Sequence, residues 1–334
     1  MVLRHLSLKS GFFAPDGGLL SILDCAGTVI VEDCEIGAPF SLSAPNTPGL
    51  LVDGSVNVSV ARSQIDGGFG FSGDQLGFGP VTCGNHGVEV TDSRLTLNGV
   101  AIAGGSGGNN QSASSPQPGG DGGDGLTMTD SEVWLIGSRV LGGNIGLGVP
   151  NGISAAAIHV DGASSVLREL NSDFIGGLGA AAIEFLAGTQ ISWAGEAVTL
   201  QVSSLRVPGQ TGNVQVDGPG NTLFSFFVSF GPGFVPVENL HGVLTTSLST
   251  FSGPLFIATI PPSGHFDLNF PVPAIKGLEG FLMVDQVISS QGSAGLVLSN
   301  ASTSVQLESP VPFSSEEPIS RPAPSVGVQS NLSP

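Results

Sequence analysis

Tyrosine is absent from this chain of 334 residues, and lysine occurs only twice, at Lys9 and Lys276. Lysine and arginine together number 9 against 27 aspartates and glutamates, a formal net charge of −18. Nucleic-acid binding is thereby excluded, because displacing phosphate counterions needs clustered Lys and Arg. Charged residues of either sign make up only 11% of the chain, against roughly 25% in ordinary soluble domains. Yet 40% of the residues are hydrophobic, which rules out disorder along the whole length. No apolar run approaches the ~20 residues of a membrane-spanning helix. Cys25, Cys34 and Cys83 are too few for a disulfide framework, and one bridge would leave the third unpaired. A secretion signal is also missing, since Met1 to His5 leads into no long apolar core and no small-residue cleavage site.

Glycine is what the chain has in excess: 51 residues, about twice the usual ~7%, without the strict three-residue period of collagen along the chain. Abundant Gly, Ser and Thr with little Lys and an acidic balance suit a secreted bacterial protein. The expected location is therefore extracellular or cell-surface, and with the signal missing the chain is expected to be a fragment or mis-started. A cytoplasmic location is the alternative.

One template recurs: apolar-x-apolar-x-x-small-x-apolar, often followed by Gly-Gly. It occurs at Leu6/Leu8/Gly11/Phe13, Val29/Val31/Cys34/Ile36, Val58/Val60/Ser63/Ile65, Leu95/Leu97/Val100/Ile102, Val133/Leu135/Ser138/Val140 and Leu167/Glu169/Ser172/Phe174. Each half alternates with period two, which is strand geometry, and the two residues between the halves turn a corner. A unit of about 23 residues, lengthened by Gly-rich insertions, reads as one coil of a parallel β-helix. Turn-forming Asp residues precede the rungs at Asp24, Asp53, Asp92, Asp130 and Asp161. The insertions, near residues 69–85, 106–122 and 144–155, all leave the coil just after Gly-Gly, so stacking gathers them on one side. After Val198 the template stops, and about seven short alternating segments read as an antiparallel β-sandwich. In one of them, period two puts Phe226, Val228 and Phe230 on one face and Phe227 and Ser229 on the other. From Ser309 onward Pro, Ser and Glu dominate, the composition of a disordered tail.

Residues 1–197 resemble the right-handed parallel β-helix domains of secreted bacterial proteins, which carry insertions like Gly104-Gly105-Ser106-Gly107-Gly108 and Gly119-Gly120-Asp121-Gly122-Gly123-Asp124-Gly125. Residues 198–308 resemble a C-terminal module of planctomycete-like extracellular proteins, through Phe226 to Pro232, Phe270 to Pro273 and Gly295 to Ala301. The resemblance implies an all-β fold, a right-handed parallel β-helix (solenoid) followed by an antiparallel β-sandwich. It implies no catalytic residue, because one fold hosts many functions.

Candidate chemistry is sparse. A glycosidase needs two carboxylates ~5–9.5 Å apart, and no outward column carries two on adjacent rungs. The nearest substitute is the diagonal pair Glu35 and Asp66. Five histidines show no metal-ligand spacing. Gly119 to Thr127 matches one calcium nonapeptide, which makes Asp121 and Asp124 the candidate metal ligands and calcium the candidate cofactor. The tandem copies such a site needs are missing, so a Gly-rich loop tip is the preferred reading. Trp134, between inward Val133 and Leu135, should face outward. It could stack on a sugar or lie under an insertion, with Phe69, Phe71 and Phe78 the candidate covers. Arg62, Arg94 and Arg139 occupy different template positions and should not align. The expected function is a structural or binding, adhesin-like protein without catalytic activity, whose partner is an extracellular or cell-surface polysaccharide. The alternative is a polysaccharide-active lyase or glycoside hydrolase, assisted by calcium.

Overall fold

The computed structural model describes residues 1–9, 19–37, 40–41, 47–72, 81–110, 118–237, 239–250, 253–273, 277 and 279–307. Gly11, Phe13, Phe78 and the tail from 309 lie outside the described residues. The fold is all-β, with two short 3-10 turns at Leu248–Thr250 and Gly292–Ala294. No helix among the described residues is long and apolar enough to cross a membrane.

The first half is built from three parallel sheets that the chain visits in rotation, with a short parallel pair of Phe40–Ser41 and Phe69–Gly70 beside them. The first sheet holds Val2–Arg4, Val29–Glu32, Val58–Ala61, Arg94–Asn98, Glu132–Ile136, Val166–Leu170 and Thr189–Trp193. The second runs from Ser7–Lys9 through Glu35–Gly37, Gln64–Asp66, Ala101–Ala103 and Arg139–Leu141 to Asp173–Ile175. The third runs from Leu20–Leu23 through Leu50–Asp53, Val88–Thr91, Leu126–Thr129 and Ile158–Asp161 to Ile183–Phe185. Leu3, rather than the Leu8 of the first template copy, lies in register with Val31, Val60, Leu97 and Leu135, and Leu8 pairs with Ile36. Val31, Val60, Leu97 and Leu135 are fully buried in one core, as the shared template requires. Glu169 continues that column without a slip.

The corners explain the small residues. Between the first and second sheets, His5, Asp33, Arg62, Gly99, Gly137 and Asn171 take positive φ. Between the third and first, Asp24, Gly54, Asp92, Asp130 and Gly162 do the same. Asp and Asn tolerate this left-handed conformation better than most residues, and Gly has no side chain to oppose it. Ser residues just past these corners form two ladders. In one, the backbone N–H groups of Cys25, Ser55, Ser93 and Ser131 donate to the hydroxyls of Ser55, Ser93, Ser131 and Ser165, at 2.9–3.4 Å. In the other, Cys34, Val100 and Ser138 donate to Ser63, Ser138 and Ser172. A hydroxyl on one rung thus caps the backbone donor of its neighbour, and the second ladder is interrupted only where Val100 replaces Ser. All three cysteines are free.

The second half is mostly antiparallel, with short parallel pairings of Leu205–Arg206 with Ser302–Gln306 and of Leu240–His241 with Leu296–Leu298. Thr199–Val202, Thr211–Asp217 and His265–Pro271 form a three-stranded sheet, and Leu223–Ser229 pairs with both Pro254–Thr259 and Leu282–Ser290 in a larger one. Phe224, Phe226 and Val228 of the larger sheet share a core with Leu200, Val202, Val214 and Val216 of the smaller. Thr211–Asp217 and Pro232–Pro236 are strands beyond those the sequence pattern marks. Phe230 departs from the face of Phe226 and Val228. The strand ends at Ser229, Gly231 turns at φ 129°, and Phe230 is 40% exposed.

The two halves are packed together. Ile136 and Leu170, outward residues of the first sheet, lie in the core of the second half, and Ile30 packs with Val284 and Ala301.

Candidate functional site

The Gly-rich insertions are ordered segments rather than plain loops where they are described. Gly104, Gly107 and Asn110 donate their backbone N–H groups to the carbonyls of Leu141, Asn144 and Leu147. Gly119, Gly122 and Gly125 donate likewise to Pro150, Ile153 and Ala156. These parallel contacts join outgoing segments to one another and returning segments to one another. Antiparallel contacts join the two layers: Gly120 and Gly123 donate to Gly108 and Gly105, and Gly143 and Gly146 donate to Gly123 and Gly120. The repeat of three residues is that of the threefold polyproline II conformation, not of a strand. In Gly-Gly-x, both glycines face neighbouring segments and the third residue faces out. A Cβ on Gly105 would fall well inside van der Waals contact with the Gly68 carbonyl, and one on Gly108 with that of Phe71.

The third-position side chains cap the amides that the lattice leaves over. Leu147 N–H donates to Asn109 Oδ1 at 2.7 Å, Leu178 N–H to Asn144 Oδ1 at 3.1 Å, and Asn109 N–H to Ser72 Oγ at 3.1 Å. On the returning layer, Ile153 N–H donates to Asp121 Oδ1 at 2.7 Å and Asp124 N–H to His86 Nδ1 at 3.0 Å. The candidate metal ligands Asp121 and Asp124 thus sit three residues apart in the lattice, with Asp121 on the next segment's backbone and Asp124 beside His86 and Thr127. Among the described residues no three His, Cys, Asp or Glu gather around one point. The signal for this bundle was the Gly-Gly-x-Gly-Gly-x pattern itself, whose period of three holds only within each insertion.

Glu35 and Asp66 do come together. They line a shallow depression of 360 Å³ with Lys9, Gly37, Phe69 and Ala103. Glu35 accepts from Lys9 Nζ at 2.8 Å, and that hydrogen bond holds its carboxyl below the usual range. Asp66 accepts from Gln64 Nε2 at 2.7 Å. An ionised, solvent-facing Glu35 lacks the burial that raises the pKa of a general acid. The arginines have local partners: Arg62 makes a two-point contact with Asp33 at 2.9 Å, Arg94 faces Glu132 at 3.5 Å and Arg139 faces Asp173 at 3.6 Å.

Trp134 faces outward from the first sheet but is only 1% exposed. The cover is Phe234 of the second half, edge-on at 5.7 Å, not Phe69 or Phe71. Sugar stacking on an open Trp134 face is therefore corrected: period-two alternation fixes the side chain's direction, and the partner that covers it lies 100 residues downstream. Where the cover ends, a cleft of 450 Å³ remains, lined by Trp134, Arg168, Ile191, Trp193, Leu240 and Gly242 among others. At the opposite end of the same face, Glu32 is fully buried. Its Oε2 accepts from Thr303 and lies 3.2 Å from Arg4 Nε and 3.8 Å from Arg62 Nη2. Burial pushes the Glu32 carboxyl above its ordinary range despite both arginines.

No family model matches the chain, and no curated protein does. Among solved structures, a superoxide reductase (neelaredoxin) from Ignicoccus hospitalis aligns with 34% of this chain and 81% of its own, at 12% identity and a TM-score of 0.22. That is too distant to bear on fold or function.

Proposed function

We propose that residues 1–197 form a right-handed parallel β-helix, that 198–308 form an antiparallel β-sandwich docked along it, and that the protein is a non-enzymatic, adhesin-like binder of extracellular or cell-surface polysaccharide. The rotation through three parallel sheets, with in-register stacks and corner ladders, supports the solenoid, and the rule that parallel crossovers are right-handed supports its hand. The observation that carries the function is the outer face of the glycine bundle. Hydrogen bonds place Phe69, Ser106 and Asn144 side by side, with Asn109 beside Leu147 on the next row. Phe69 is 48% exposed, Leu147 58% and Leu178 75%. Large apolar side chains held at regular intervals on a hydrogen-bonded backbone lattice form a flat, preorganised platform, and exposed apolar patches mark interaction sites. Apolar and amide groups in rows suit the C–H faces and hydroxyls of an extended polysaccharide.

The test is co-sedimentation of the protein with insoluble cell-wall glycans, chitin and cellulose. The double variant Phe69→Ala, Leu178→Asp should lose binding while keeping its unfolding midpoint. Binding unchanged by that variant would reject the platform. Reducing ends or unsaturated products that disappear on Glu35→Ala or Asp66→Ala would instead establish the enzymatic alternative.

A further inference from the structure

The chain contains two tryptophans and no tyrosine. Trp134 and Trp193 line the same cleft, although they are 59 residues apart in sequence. Register places them there: Trp134, Arg168 and Ile191 form one outward column of the first sheet, and Ile136, Leu170 and Trp193 form the next. The second half buries Ile136 and Leu170 of this sheet but leaves Arg168 and Ile191 partly open, where Pro236, Val237, Leu240 and Gly242 form the far wall.

Arg168 is the charged side chain of the cleft lining. Arg168 lies over the Trp134 ring, its Cζ 5.2 Å from the centroid. Its Nη1 donates to Glu132 Oε1, leaving the rest of a five-donor guanidinium for other acceptors. Trp193 is fixed by a stack on His241, which is not part of the lining, at 4.9 Å with planes 8° apart. His241 Nδ1 is buried without a hydrogen-bond partner among the described residues, a state that native structures seldom leave unexplained.

We propose that this cleft binds a short neutral saccharide, an apolar sugar face against the Trp193 side and hydroxyls toward Arg168. The volume of 450 Å³ falls within the ~300–1,000 Å³ range of small-ligand sites. An indole at Trp193 with the Arg168 guanidinium beside it matches a sugar ring, which has C–H faces and a hydroxyl rim. Charge selects against ionic ligands. An anion meets a chain of net charge −18, and its one local guanidinium is already matched by Glu132. A cation meets a Glu132 carboxylate held between Arg94 and Arg168. This site is separate from the glycine bundle and does not depend on its function.

The two-tryptophan composition supplies the assay, because indole emission from this chain reports on the cleft alone. Titration of the intact protein with cellobiose, maltose, xylobiose, mannobiose and N,N′-diacetylchitobiose should give a saturable change with at least one sugar, and none with a glucuronic acid disaccharide. By calorimetry, Arg168→Gln should weaken that binding about tenfold or more, as expected for loss of a charged hydrogen bond. Ile191→Trp, which fills the cleft, should abolish it, while Phe69→Ala should leave it intact. If Arg168→Gln lowers the unfolding midpoint, Ile191→Trp decides. A flat titration across the panel, binding that survives Ile191→Trp, or preference for the acidic disaccharide would each overturn the proposal.

Discussion

Replacing Gly105 by alanine tests the glycine lattice at its centre. Gly105 N–H donates to Asn85 O at 2.8 Å, and Gly105 O accepts from Gly123 N–H at 2.8 Å. Its missing Cβ points at the Gly68 carbonyl, so a methyl group would lie far inside the ~3.5 Å at which heavy atoms touch. The layers must separate, which strains or breaks both bonds. Overpacking costs about 1–3 kcal/mol, and two weakened backbone bonds add about 1 kcal/mol each. Stiffening of the unfolded chain by alanine returns about 0.4–1 kcal/mol. The net is a loss of about 2–5 kcal/mol. Denaturant unfolding measures it globally, and hydrogen exchange at Gly120, Gly123 and Gly143 measures it locally if the bundle opens by itself. Two controls share the chemistry without the contact. Ser106→Ala, at an outward third position, should change stability by less than ~0.5 kcal/mol. Gly27→Ala, with nothing within 4 Å of its Cβ, should be neutral or stabilising. Equal stability and equal exchange for Gly105→Ala and Ser106→Ala would refute the lattice.

Leu170 is fully buried in the core of the second half although it belongs to the first sheet. Leu170→Ala should cost about 2–5 kcal/mol, and calorimetry should show the loss in the transition of residues 198–307. Expressed alone, residues 198–307 should bind a hydrophobic dye and unfold broadly, because Ile30, Ile136 and Leu170 no longer complete their core. Glu32 has its carboxyl pKa raised by burial, so the folded state holds its proton more tightly than the unfolded state does. That contribution is complete below the unfolded value of ~4.3 and is lost as pH rises through the higher folded value. The stability difference between the parent and Glu32→Gln should therefore shift against the parent as pH increases over that window, and a flat difference would contradict it. His265 Nδ1 lies 2.6 Å from Asp217 Oδ1, and that hydrogen bond raises its pKa. NMR titration should place His265 above the ~6.5 of free imidazole, and Asp217→Asn should bring it down.

Much of the first half was legible in the residues. Period-two alternation at Val29/Val31, Val58/Val60, Leu95/Leu97 and Val133/Leu135 gives strands whose inward side chains must match from rung to rung, and they do. The corner Asp and Ser residues were legible as turns, though not as hydrogen-bonded ladders, because a ladder joins residues 29–38 apart in sequence. In the second half, Thr211–Asp217 was missed because Thr211, Gly212 and Asn213 hide the alternation of Val214 and Val216.

Local stereochemistry is what the sequence determined by itself. Strand faces, corner conformations, the outward direction of Trp134 and the points where the Gly-rich segments depart all follow from φ/ψ preference and side-chain period, which act over a few residues. Tertiary structure alone decided what lies against each outward face. Gly-Gly-x segments look like loops until several of them stand side by side, since the polyproline II conformation has no hydrogen bonds within a chain and takes all of them from neighbours. Period-two alternation turns Glu32 and Trp134 outward, but only Thr303 and Phe234 from far downstream bury them, and the cleft beside Arg168 exists only because that cover leaves Arg168 and Ile191 partly open. Each depends on contacts between segments many residues apart, whose geometry is set by packing and not by the residues' own neighbours in the chain.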